Sequence, residues 1–380
     1  MGILNYTEEH ERFRQRLIDH IEKEIKPNAA KWEKDKIVPK EDWRKMGEKG
    51  FLSTAVAKEY GGPGLDFLYS VIVSEEMITS GQTGLAAGLH SDIIVPYIEA
   101  FGTEAIKKKF LPGCVSGDII TAVAMTEPAA GSDVASIETT AVEEGDEVII
   151  NGSKTFISNG INCDLVIVAA KDPGVESKHN ALSLYLVEDG TPGFTRGRHL
   201  EKMGMYAQDT AELFFSDCRI PKENMLGEKG GGFIMLMQKL QQERLVSAIS
   251  NVKAAEFLLE KAVEFCKTNE VDGKPLSKQQ AVKFTLAELA TETKLNRALL
   301  DQVIKGHMEG ENIIAETMMI KYSSSEMANQ LVDRLMDLFG EYGALESNHI
   351  AEHFRDLRIT TIFAGTTEIM KTIIAQAMGL

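Results

Sequence analysis

Val148-Ile149-Ile150-Asn151-Gly152-Ser153-Lys154-Thr155-Phe156-Ile157 is where the chain changes character, and its reading decides the fold class. β-Branched and aromatic residues stand on both sides of Asn151-Gly152, a dipeptide suited to the positive-φ positions of a two-residue turn, so the stretch predicts a β-hairpin. The same texture continues further along the chain. Leu165 to Ala169 reads as a buried strand, Leu182, Leu184 and Leu186 alternate on one face, and Phe214-Phe215 belongs to another short strand. Residues 120–228 therefore form an all-β unit.

On either side of this unit the helical period takes over. Thr7 is a candidate N-cap for a segment in which Phe13, Leu17, Ile21 and Ile25 share one face and Pro27 supplies the stop. Pro39, Gly61-Gly62-Pro63-Gly64 and Gly102 punctuate later helices. After Gly227-Glu228-Lys229-Gly230-Gly231-Gly232, long amphipathic segments begin near Phe233, Ser277, Asn312 and Ala351 and predict a four-helix bundle. A chain of 380 residues is too long for one ordinary core. The expected organisation is α+β and multidomain: a helical domain over 1–119, the β domain over 120–228 and the bundle over 229–380.

The formal charge of −16 argues against a nucleic-acid or anionic-membrane surface, since both would repel the chain. Cys114, Cys163, Cys218 and Cys266 lie far apart with no C-x-x-C pair, which fits buried thiols in a reducing compartment rather than a disulfide frame or metal site. No apolar run reaches the ~18 residues of a membrane span. Thr7-Glu8-Glu9-His10-Glu11-Arg12 is neither a secretory nor a transit pattern, and Tyr6 stands where a Met1-Gly2 myristoylation signal needs Ser or Thr. The expectation is a cytoplasmic protein with no metal, no nucleic-acid partner and no membrane insertion.

Several spaced motifs go further. Met125-Thr126-Glu127-Pro128-Ala129-Ala130-Gly131-Ser132-Asp133 comes first, followed by Asn151-Gly152-Ser153-Lys154-Thr155-Phe156-Ile157-Ser158-Asn159-Gly160. Met203-Gly204-Met205, Asp209-Thr210, Pro221-Lys222-Glu223-Asn224, Arg355-Asp356 and Ile362-Phe363-Ala364-Gly365-Thr366-Thr367-Glu368-Ile369 complete the series. In this order, and over essentially the whole chain, the set resembles the acyl-CoA dehydrogenases. The resemblance implies an N-terminal helical domain, a central β-barrel, a C-terminal four-helix bundle, bound FAD and a homotetramer. It implies that Thr126, Ser132 and Ser158 bond the flavin, that Phe156 covers the ring face, and that Gln280, Thr366 and Glu368 contact the cofactor. Ser132, Ile93, Leu240 and Arg244 are expected along the substrate. The family's Arg-x-x-Phe-Gly run, which reaches the FAD pyrophosphate across a subunit interface, is replaced here by Asn269-Glu270-Val271-Asp272-Gly273, and a late glycine-rich turn carries Asp337 and Glu341. The diphosphate then needs another neutralising group, such as Lys274.

Most members of the family carry a catalytic glutamate directly before Gly365, where this chain has Ala364. The reaction withdraws a proton from the carbon next to a thioester and passes a hydride from the next carbon to the flavin, so a polarised carbonyl and a carboxylate are both required. The Ala364 backbone N–H can polarise the carbonyl without any side chain. In the long-chain and isovaleryl branches the base sits on the first bundle helix, directly before an arginine, with Gly or Ala at the C-terminal position. Glu243 before Arg244 in Gln241-Gln242-Glu243-Arg244-Leu245 matches that exchange, and burial would raise its pKa. Asp92, ahead of Ile93-Ile94-Val95-Pro96-Tyr97, reads as a helix N-cap or as a second proton-accepting group for an alicyclic acyl chain. The activity implied is conversion of an aliphatic, branched or alicyclic acyl-CoA to its 2,3-enoyl-CoA, with an electron-transfer flavoprotein as acceptor. The alternatives are an acyl-CoA oxidase, a cyclohexane- or cyclohexene-carboxyl-CoA dehydrogenase using Asp92, and a catalytically silent flavin-binding homologue.

Overall fold

The computed structural model describes residues 3–82 and 84–380; Met1, Gly2 and Thr83 lie outside the described residues, and so does the myristoylation reading of Met1-Gly2. The chain opens with helices α1 (Glu8–His20), α2 (Lys26–Asp35), α3 (Lys40–Glu48), α4 (Phe67–Thr79), α5 (Val95–Phe101) and α6 (Glu104–Ser116). Thr7 caps α1 reciprocally: its hydroxyl accepts from the His10 N–H, and His10 Nδ1 accepts from the Thr7 N–H at 3.0 Å. Phe13, Leu17, Ile21 and Ile25 are buried together with Trp32 and Trp43, as their spacing predicts.

Pro27 does not stop this helix. The chain passes through a π-helical segment, Ile21–Ile25, and continues as α2 with Pro27 in its first turn. The wider π turn displaces the carbonyl a proline ring would strike, and a first-turn position needs no N–H. The same device recurs at Leu89–Ile94, a second π-helical segment that runs into α5 with Pro96 in the first turn. Asp92 lies inside that segment, so it is not the helix N-cap its sequence position suggests.

The middle of the chain holds β1 (Thr121–Ala124), β2 (Thr140–Glu144), β3 (Glu147–Ser158), β4 (Leu165–Lys171), short helix α7 (Lys178–Ala181), β5 (Leu182–Glu188), β6 (Phe194–His199), β7 (Thr210–Pro221) and β8 (Met225–Leu226). They pair in the order β6-β7-β3-β2-β4-β5-β8, with β1 parallel to β4. Among the described residues this path is open from β6 to β8, so the expected barrel is replaced by one eight-stranded sheet. The expected hairpin also moves. Glu144 pairs with Glu147 around Gly145-Asp146, while Asn151-Gly152 lies within β3. There the register against β7 shifts between Ile150 and Gly152, and a Cβ on Gly152 would stand 2.4 Å from Thr139 Oγ1. The glycine serves a bulge and a close approach, not a turn.

The C-terminal part comprises α8 (Gly232–Thr268), α9 (Gln280–Met308), α10 (Ile314–Phe339), α11 (His349–Leu357) and α12 (Thr367–Ala377), with a small hairpin of Glu270–Val271 and Lys274–Pro275 between α8 and α9. The expected fourth long helix is two short ones, split by a 3-10 turn at Arg358–Thr361 and by left-handed backbone at Ala364 and Gly365. Arg244 through Ile249 are all buried, because α8 runs through the middle of the bundle. Among the described residues no helix is long and apolar enough to cross a membrane, and no cluster of His, Cys, Asp and Glu could hold a metal ion. The four cysteines are free and buried.

Buried polar contacts fasten β3 to the loop that follows β1. Lys154 Nζ sits 2.7 Å from Glu127 Oε1, with both side chains almost fully buried, and also donates to the Met125 carbonyl at 3.1 Å. Glu127 accepts from the Thr139 N–H at 3.0 Å and from the Glu138 N–H, so every part of this carboxylate is engaged. Lys154→Met would leave that carboxylate buried with only backbone donors. It should lower the unfolding free energy by about 3–5 kcal/mol in a denaturant titration. A loss within experimental error would show that the pair is not a structural fastener.

Candidate active site

Near the start of α8, Gln242 Nε2 donates to the Asp92 carbonyl at 2.7 Å and ties the bundle to the second π-helical segment. The next residue, Glu243, is partly buried, and its Oε2 is fully buried with no hydrogen-bond partner among the described residues. Burial pushes its carboxyl up to about 7, against the opposing charges of Arg244 and Lys321. Arg244 is buried, and its Nε also lacks a partner. Tyr97 of α5 is fully buried with its hydroxyl unpartnered; burial first, and then the Glu243 charge, push that hydroxyl well above its ordinary range. One and two turns beyond Glu243, Ser247 Oγ and both amide atoms of Asn251 are likewise buried and unpaired. An unmatched buried polar atom costs about 1–3 kcal/mol, so packing alone does not explain this concentration along one stretch of α8.

The second component is the turn before α12. Ala364 has φ +53° and Gly365 φ +90°, left-handed conformations that fit glycine and strain alanine. Lys321 holds the turn from outside, and Arg244 lies beside it. Lys321 of α10, itself fully buried, donates to the Gly365 carbonyl, and an added Cβ on Gly365 would lie 3.6 Å from Arg244 Nε. Thr366 caps α12 by accepting from the Ile369 N–H at 3.3 Å, and the exposed Glu368 falls in the first turn, where a carboxylate is favoured. Both residues therefore have a structural task alongside the cofactor contact expected of them.

The third component is on the sheet. Phe156 is 69% exposed and stands at φ +58°, where the register of β3 against β7 shifts again between Lys154 and Ile157. A large aromatic held outward on strained backbone is placed to cover a ligand face. Thr126 is held beside this strand, its carbonyl accepting from the Thr155 N–H at 2.9 Å. Ser158 is half-buried opposite Thr210, and Ser132 is exposed on the loop after Thr126. This group is coupled to the bundle through the loop before β7. Asp356 of α11 accepts from the Met205 N–H at 2.5 Å, and a Cβ on Gly204 would meet Asp356 Oδ1 at 2.5 Å.

Other expected site residues fall in different places. Ile93 is half-buried on the π-helical segment and Leu240 is buried one turn before Arg244, both beside the α8 surface. Asp92 is buried, with its carboxyl pushed up to about 7 by burial and opposed by a hydrogen bond from Ser70. It is directed towards α4, since a Cβ on Gly88 would lie near both Asp92 Oδ2 and Ser74 Oγ. Gln280 is exposed at the start of α9, beyond the end of α8 at Thr268, which lies about 37 Å along the helix from Glu243. It does not join the site of its own chain. The sequence reading missed Lys321 and Tyr97. The available signal was a lysine among the small core-facing residues Thr317, Ser324 and Ser325 of α10, where an amphipathic helix should carry aliphatic side chains.

Family models match almost the whole chain: acyl-CoA dehydrogenase N-terminal domain over residues 7–118, middle domain over 122–218 and C-terminal domain over 230–379. The mitochondrial long-chain specific acyl-CoA dehydrogenase of Mus musculus is 41% identical, covering 98% of this chain and 86% of its own. An acyl-CoA dehydrogenase of Bacillus subtilis is 34% identical, covering 98% of each. The crystal structure of an acyl-CoA dehydrogenase from Geobacillus kaustophilus superposes over the full length of both chains with a TM-score of 0.98 at 50% identity.

The exposure of Phe156 separates stability from ligand binding. Phe156→Ala should change the unfolding free energy of the apoprotein by no more than about 0.5 kcal/mol, as for an exposed side chain. It should weaken flavin affinity by about 2- to 10-fold, the worth of one aromatic stacking contact. Fluorescence titration of FAD against the apoprotein reads this, and unchanged affinity would remove Phe156 from the ring face.

Proposed function

Because the chain belongs to the acyl-CoA dehydrogenase family, we propose that it oxidises a fatty acyl-CoA thioester to the 2,3-enoyl-CoA with Glu243 as the base. The family is FAD-dependent, and the flavin supplies the hydride acceptor. One observation carries the reading of Glu243: a carboxylate oxygen buried without a partner, one residue from an arginine that packs on the Ala364-Gly365 turn. In this reading Glu243 removes the α-proton and the Ala364 N–H donates to the thioester oxygen. Thr126, Ser132, Ser158, Thr366 and Glu368 face the flavin, with Phe156 over its ring. Ile93, Leu240 and Ser132 lie along the substrate, and Arg244 orders the turn.

The long-chain specificity named for the mouse relative favours a long acyl chain. A second reading rests on Asp92, buried next to Ser70 and Ser74 with its carboxyl near neutrality: an alicyclic acyl-CoA with Asp92 as an additional base. An electron-transfer flavoprotein is the proposed acceptor, a reading supported by a similar chain solved in a study of the electron transferring flavoprotein of Acidaminococcus fermentans. We also infer three domains over 1–119, 120–228 and 229–380, a cytoplasmic location and a homotetramer. The tetramer is supported by α9, where Phe284 and Leu295 are 59% and 67% exposed on one face. Gln280 at the start of that helix would then serve a flavin held by another subunit.

Anaerobic bleaching of the flavin by straight, branched and alicyclic acyl-CoAs tests the function. Bleaching by long straight chains is expected. Bleaching by alicyclic thioesters alone would favour the second reading, rapid reoxidation in air would indicate an oxidase, and no bleaching at all would indicate a silent homologue. Glu243→Gln should slow bleaching by roughly 10²- to 10⁴-fold while FAD stays bound, and full activity in that variant would refute the base assignment. Since the ionised carboxylate is the active form, the wild-type rate should rise with pH through about 7.

A further inference from the structure

Lys321 presents a problem that its position on α10 does not explain. Its side chain is fully buried, and removing an ammonium from water costs several kcal/mol unless it is compensated. The partner it contacts is not a carboxylate but the carbonyl of Gly365. A leucine or methionine would fill the same space without that penalty, so packing does not account for the charge.

The surroundings do. Glu243 and Arg244 face Lys321 from α8, Glu326 faces it from α10 and Glu368 from α12, while Tyr97 of α5 faces Glu243 and Arg244. Burial, and then the Arg244 charge, bring the Lys321 ammonium down to about 8, with the three carboxylates opposing. Lys321 also belongs to a grip on the start of α12. It holds the carbonyl of Gly365, and Glu326 Oε1 accepts from the Thr367 hydroxyl at 2.7 Å, so α10 seizes the chain on both sides of the Thr366 cap. A left-handed alanine costs about 1–2 kcal/mol relative to its ordinary conformation, so the Ala364-Gly365 turn needs an external restraint of this kind.

We propose that Lys321 is a positioning residue with two tasks: it fixes the Ala364-Gly365 turn through the Gly365 carbonyl, and with Arg244 it sets a positive charge behind Glu243. The proposal rests on Glu243 being the base. The sign of the electrostatic part follows from the charges. Removing a cation that favours ionised Glu243 raises the pH at which the carboxylate forms. Removing the hydrogen bond frees the turn and loosens the thioester's donor.

The two tasks separate in two variants. Lys321→Gln loses the charge and keeps an N–H that can reach the Gly365 carbonyl, whereas Lys321→Met loses both. Anaerobic flavin reduction by an acyl-CoA, followed from pH 5.5 to 9, should show a midpoint raised by about one unit in both variants. Only Lys321→Met should also raise the half-saturating substrate concentration, by about 10-fold. Lys321→Arg should restore the midpoint. Should Lys321→Met fail to retain FAD or to fold, the pH profile of Lys321→Gln still decides the electrostatic task. Wild-type midpoints in the neutral variants, measured alongside an inactive Glu243→Gln, would overturn this inference and leave the base assignment standing. An active Glu243→Gln would instead remove the reading on which the inference depends.

Discussion

The burial of the Glu243 carboxylate is the constraint around which the rest of this structure is arranged. An unpaired carboxylate in a helical bundle is expensive, and the fold contains its cost rather than removing it. Arg244 and Lys321 bring two cations close without hydrogen-bonding to it, so its charge is tolerated and its oxygen stays open. A direct salt bridge would have stabilised the group further and blocked it. The apolar packing of α8 against α4, α9 and α10 holds the group in this place.

Several motifs that identify the family are fasteners rather than chemical groups. Asp356 holds the Met205 N–H, and Gly204 leaves room for it. Asp209 accepts from the Ile161 and Asn162 N–H groups at 2.7 and 3.2 Å, which closes the loop after the strand bearing Phe156 and Ser158. Glu127 and Lys154 lock the Thr126 loop to the same strand. These contacts join sheet to bundle and loop to strand, so the strand bearing Phe156 and Ser158 and the bundle that carries Glu243 are tied together although they belong to different parts of the fold.

The legible parts of the fold were those governed by local periodicity. The Thr7 cap, the buried row from Phe13 to Ile25 and the strands at Leu165 and Leu182 follow from spacing alone. The misread parts were those where tertiary packing overrides a local signal. Asn151-Gly152 suits a turn in isolation, but Thr139 lies too close for any side chain at 152, so its glycine is used for a bulge. Pro27 is a stop signal in a regular helix, and a π-helical turn made it passable. Glu243 could be singled out from the sequence because its proposed exchange with Ala364 is written in two places. Lys321 could not, since a single lysine in a helix reads as solvent-exposed until the neighbouring helices are in place.

The exchange between Ala364 and Glu243 has a mechanical consequence in the proposed assignment. A glutamate at 364 would have to act from a left-handed turn, where one strained residue supplies both the backbone donor and the base. Here the donor stays on the turn and the base moves to α8, whose stretch from Arg244 to Ile249 is buried. Alanine at 364 is small enough for the left-handed conformation at modest strain, and the turn needs only to present its backbone. Two elements must then be kept in register instead of one, and the side chains that span them are Arg244, against Gly365, and Lys321, on its carbonyl. Separating the two functions thus makes the proposed site depend on those two cations.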